Sequence, residues 1–204
     1  MMTNSRRKPR PAAEVLKELE ADPAYREMRA RQEQLGSELM ERVRISEVPL
    51  VDDLHAIGVK ASSVWDLVNT RATYAVAIPV LLEHLQRDYI PEVREGIARA
   101  LAVPEASWAW DILFTSFMRE PAGQRRNVKW ALACALGGAA TEEVVDKIIA
   151  LVQDTSVGEN RLALLGALAR SKLQRARGVL EELRQDPQLK RELRIILGSP
   201  KKKT

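Results

Sequence analysis

Four stretches decide the fold: VREGIARAL (93–101), VKWALACAL (128–136), NRLALLGAL (160–168) and LKRELRIIL (189–197). They align without a gap, and their starts lie 35, 32 and 29 residues apart. The fifth position is always aliphatic (Ile97, Leu132, Leu164, Leu193), and the ninth is always leucine (Leu101, Leu136, Leu168, Leu197). The second is always basic (Arg94, Lys129, Arg161, Lys190). Positions one, five and nine share one face of an α-helix, so each stretch predicts a helix with a buried stripe.

Working outward, each stretch is preceded by another apolar helix pattern. These are Leu81, Leu82 and Leu85; Ile112, Leu113 and Phe117; Ile148, Ile149 and Val152; and Val179, Leu180 and Leu183. Short breaks with Asp88, Glu120, Asp154 or Asp186 separate the partners. The unit is helix, turn, helix. One such pair cannot bury both its faces, whereas stacked pairs share a continuous core. Residues 46–69 read as a fifth, degenerate pair, with Val64 and Val68 near the expected offsets.

Upstream, residues 12–20 predict a short helix. Asp22-Pro23 opens a second one that reaches about Ile45, with Asp as N-cap and Pro in the first turn. Its apolar positions, Tyr25, Met28, Leu35, Leu39, Met40 and Val43, form a narrow stripe among charges. Such a helix packs along a domain edge or lies over a partner. The expected division is a disordered basic tail (1–11), a helical extension (12–45), a repeat domain (46–198) and a basic C-terminal tail (199–204).

Composition agrees. The 204 residues are 46% hydrophobic, 29% charged and only 4% aromatic, the balance of a helical globular chain. A single cysteine, Cys134, excludes an internal disulfide and any cysteine-based zinc site. No apolar run is long enough to span a bilayer and no secretory h-region follows the basic start, so the expected compartment is the cytoplasm, with no membrane partner. The net charge of +4 is misleading, because seven of the 32 basic residues stand in the tails. That leaves 25 against 28 acidic residues, so the body carries about −3 and nucleic acid becomes the less favoured partner.

The first unit, IPVLLEHLQRDYIPEVREGIARALAV, resembles a HEAT repeat. Pro79, Asp88, Val93 and Arg94 stand where that family carries a first-helix proline, a turn aspartate and Val-Arg opening the second helix. The third unit matches through Asp154 and Arg161. The resemblance covers roughly 74–198, and the whole chain also resembles bacterial HEAT-repeat domain proteins. It implies an all-α solenoid of four to five HEAT-like helix pairs with an N-terminal helical extension. It further implies a ladder of turn acids and second-helix bases, with Asp88–Arg94 and Asp154–Arg161 as rungs. The second unit, with Glu120, and the fourth, with Lys190, depart from that pattern.

Little in the sequence carries chemistry. His55 and His84 stand alone, outside any metal-binding motif, and read as surface or half-buried residues. Cys134 lies among Ala and Leu and reads as a structural thiol. GGAAT (137–141) follows a helix and lacks a P-loop ending, so it reads as a helix stop with Thr141 capping the next helix. No cofactor and no metal are expected. The richest cluster is Trp108, Trp110, Asp111, Arg125, Arg126, Lys129 and Trp130. Positions three and seven fall off the buried stripe, which makes Glu95, Arg99, Trp130 and Leu162, together with Arg126 just ahead of the second stretch, the candidate partner-binding residues on a concave face. The favoured function is a noncatalytic protein-binding module or adaptor. The alternative is a nucleic-acid-binding or DNA-repair protein of the HEAT-like glycosylase type, to which Trp108, Asp111 and Arg126 invite comparison. A cysteine-dependent enzyme would require an accessible Cys134.

Overall fold

The computed structural model describes residues 11–121 and 127–198. The expected tails and Arg125–Arg126 lie outside the described residues, apart from Pro11 at the edge of the first tail and Gly198 at the end of the last helix. Every regular element among the described residues is helical. The chain divides into two compact units, at Ile45 and Ser46.

The first unit is α1 (Ala12–Ala21) and α2 (Pro23–Ser46). Asp22 separates them because its side chain accepts the Ala24 N–H at 2.9 Å, capping α2, while Pro23 needs no hydrogen bond in the first turn. α1 has no buried residue and α2 has one, Val43.

The second unit holds helices in pairs. After α3 (Val48–Ala56) and α4 (Val64–Asn69), which pack on later helices, the pairs are α5 (Ile78–Leu85) with α6 (Pro91–Ala100), and α7 (Trp110–Arg119) with α8 (Val128–Gly138). Then come α9 (Val145–Gln153) with α10 (Arg161–Arg170), and α11 (Gln174–Glu182) with α12 (Lys190–Leu197). The second members pack in succession, α4 on α6, α6 on α8, α8 on α10 and α10 on α12. Among the first members, α3 packs on α5 and α9 on α11.

The predicted stripe forms much of the core of this stack, except that Leu197 and Asn160 are only half-buried. Ile97, Leu101, Leu132, Leu136, Leu164 and Leu193 are fully buried, and Leu168 nearly so. Truncating one such leucine to alanine costs about 2–5 kcal/mol. Close packing needs small residues where helices meet. A side chain on Gly137 would meet the Ala163 carbonyl at 2.8 Å, and one on Gly138 the Ala102 carbonyl at 2.4 Å. Both glycines lie inside the last turn of α8, so GGAAT serves close approach before it serves as a stop. Thr141 makes no capping hydrogen bond.

Polar groups tie the pairs together. The buried Glu47 accepts hydrogen bonds from the Ser63 hydroxyl at 2.9 Å and the Val64 N–H at 3.1 Å, fastening the start of α4 to the start of α3. His84 is fully buried, not half-buried as its isolation in the sequence suggests. It is satisfied by groups remote in sequence or across a turn: Nε2 meets Asp53 at 2.8 Å and Nδ1 meets the Tyr89 hydroxyl at 2.6 Å.

The acid–base rungs form, but with other partners than the resemblance implies. Arg94 makes a forked pair with Glu120, at 2.6 and 3.3 Å. Arg161 binds Asp186 at 2.9 Å and the Gln188 side chain at 2.6 Å. Each base therefore reaches the turn acid of the following pair. Among the described residues Asp88 makes no ion pair with Arg94. Asp154 spends its side chain on the Ser156 N–H at 2.8 Å. Arg94 and Arg161 reach the turn of the next pair, whereas Lys129 donates to the Glu120 carbonyl of its own pair's turn at 2.7 Å. Arg161 is 2% exposed, and carboxylate, amide and carbonyl acceptors surround its guanidinium, which offsets the cost of burying it.

Candidate functional site

The candidate residues off the stripe are half-buried: Glu95 and Arg99 on α6, Trp130 on α8 and Leu162 on α10. Their helices are held rigidly by the buried positions between them. Arg99 and Glu95, one turn apart, form an ion pair at 2.7 Å, a spacing that suits opposite charges on a helix. The Asn127 side chain accepts the Trp130 N–H at 3.2 Å and fixes the start of α8. Arg126, the remaining candidate, lies outside the described residues.

Arg99 and Cys134 share the wall of a cleft of about 410 Å³. The loop Thr70 to Ala75, together with Val103 and Glu105, forms the other wall. The Tyr74 hydroxyl donates to the Ala100 carbonyl at 3.0 Å and pins that loop to the end of α6. Burial pushes the Tyr74 phenol up, and the Glu105 charge adds to the shift. Sequence reasoning missed this wall, since the loop has no periodicity. Its one signal is a tyrosine placed just before an apolar helix.

Burial also pushes the Cys134 thiol up. Arg99 pulls it down, while Glu95 pushes it up again. The balance of these influences is upward, away from an activated thiolate, and the side chain is half-buried in the cleft wall. Among the described residues no group of three or more His, Cys, Asp or Glu side chains is placed to hold a metal ion. Nor is any helix there long and apolar enough to cross a membrane.

Of the three clustered tryptophans, Trp108 and Trp110 both line one cleft and Trp130 stands apart from it. Trp110 is buried, donating its indole N–H to the Leu136 carbonyl at 3.1 Å and stacking on Phe114. Trp108 is 64% exposed. Asp111, Thr141, Glu143 and Val144 also line that cleft, which is separate from the first and has a volume of about 300 Å³. Asp111 pairs with Lys147 at 2.7 Å. Trp130 belongs to neither the first cleft nor the second.

Comparison with family models, with curated proteins and with solved structures finds no match to this chain.

Proposed function

We propose that residues 46–198 form an α-solenoid of HEAT-like helix pairs that works as a noncatalytic protein-binding module. The observation that carries this reading is the half-buried set Glu95, Arg99, Trp130 and Leu162 on successive packed helices. Side chains of this kind combine a fixed position with accessible surface, and tryptophan and arginine are the residue types that anchor protein interfaces. The neighbouring cleft beside Arg99 offers a place for a partner side chain.

The nucleic-acid alternative draws less support. The exposed Trp108 has Asp111 and Glu143 beside it, and carboxylates repel phosphates.

The test is a double substitution, Trp130→Ala with Arg99→Glu. A defined protein partner captured by the wild type should be lost, while the variant still unfolds cooperatively. A folded variant that retains the partner removes this face from the account.

A further inference from the structure

α2 is the longest helix among the described residues, at 24 residues, or about 36 Å. It buries only Val43, while Met28, Leu35 and Leu39 are 48%, 57% and 36% exposed. An apolar stripe left in water is a standing opportunity for burial against a partner. What covers its stripe can be read from the charges along it.

Tyr25, Met28, Gln32, Leu35, Leu39 and Arg42 follow the alternating three- and four-residue spacing of a coiled-coil seam. Two nearby ion pairs are closed within the helix, Arg29 with Glu33 at 3.0 Å and Arg44 with Glu41 at 2.7 Å. The charges bordering the seam are left differently. Arg31 has no ion pair among the described residues, and Glu38 accepts only from Gln34.

A second copy run antiparallel brings these two together. Its layers set Met28 against Leu39, Leu35 against Gln32, and Arg42 against the ring of Tyr25. On the flank, Arg31 of each copy meets Glu38 of the other, twice by symmetry. A parallel pair instead stacks Arg42 on Arg42 and Gln32 on Gln32, and places no opposite charge beside either Arg31 or Glu38. We infer that α2 is a self-association surface, pairing antiparallel with α2 of a second copy of this chain through Tyr25, Met28, Leu35 and Leu39, with Arg31–Glu38 setting the direction.

The test uses the full chain and measures mass in solution against concentration. The wild type should be a dimer at micromolar concentration, and Leu35→Asp a monomer with an unchanged thermal transition for the 46–198 unit. Arg31→Glu alone and Glu38→Arg alone should each weaken the dimer about tenfold, because each turns two attractions into two repulsions. The double variant Arg31→Glu/Glu38→Arg should restore it. Trp108→Ser should leave the dimer intact. A monomeric wild type, or a dimer that survives Leu35→Asp, overturns the inference. A dimer indifferent to the single reversals, or not restored by the swap, overturns the antiparallel seam.

Discussion

α2 and α8 are both regular helices, yet different things hold them. α2 has 24 residues and buries one. α8 has 11 and buries seven, including Leu132, Leu136 and Gly137. Helical propensity and exposed ion pairs suffice to define α2, whereas α8 is defined by what presses on it from α6, α7 and α10. Length therefore says little about where the stability resides. Under the proposals above, the packed layer would hold side chains at fixed positions and the exposed helix would offer its apolar stripe to a second copy.

The sharpest way to break this contrast is to remove a buried charge. Arg161→Ala leaves Asp186 half-sheltered without its cation and should cost about 3–5 kcal/mol in denaturant unfolding of the full chain. Leu132→Ala should cost about 2–5 kcal/mol. By contrast Leu35→Ala, measured where the chain is monomeric, should stay within about 0.5 kcal/mol. A loss below about 1 kcal/mol at Arg161 would mean that the rung does not hold the stack.

Glycine offers a second, smaller test with opposite signs. Gly138→Ala drives a methyl against the backbone at Ala102 and should lower stability by about 1–3 kcal/mol. Gly36→Ala meets nothing within 4 Å and should favour helical α2 by about 0.5–1 kcal/mol, read as a rise in helicity. Equal effects at the two sites would erase the distinction between the regions.

Acid should act on the packed unit through Asp186. Burial alone would raise its carboxyl, but the hydrogen bond from Arg161, the Gln188 N–H and the Arg161 charge outweigh this and hold it below the usual aspartate range. The lower pKa belongs to the folded state. Its contribution is therefore fully present above the unfolded value and is lost as the pH falls through the folded one. Melting temperature followed from neutral to acid pH should fall more steeply for wild type than for Asp186→Asn. Parallel curves would remove Asp186 from the acid response. The smallest expected effect is at Cys134, whose thiol should alkylate slowly in the native chain and rapidly after denaturation.

Much of the packed unit was legible because its signal is periodic. Ile97, Leu132 and Leu164 announce buried positions by spacing alone, and all three are fully buried. Asp22-Pro23 likewise marked the start of α2. What stayed hidden depends on contacts between pairs. The partner of Arg94 is Glu120, 26 residues on, and nothing local distinguishes it from Asp88. His84 looked solitary because Asp53 reaches it from another helix. Trp108 and Trp110 stand two residues apart, yet one is exposed and the other buried, since only Trp110 finds the carbonyl of Leu136. For the candidate site, Glu95, Arg99, Trp130 and Leu162 could be placed off the stripe by register. The loop that walls the cleft beside Arg99 could not.

Amide hydrogen exchange on the full chain, diluted until it is monomeric, tests the central contrast most directly. The account predicts the slowest exchange in α6, α8 and α10, and exchange in α1 and α2 faster by orders of magnitude. Protection in α2 equal to that in α8 under those conditions would contradict it.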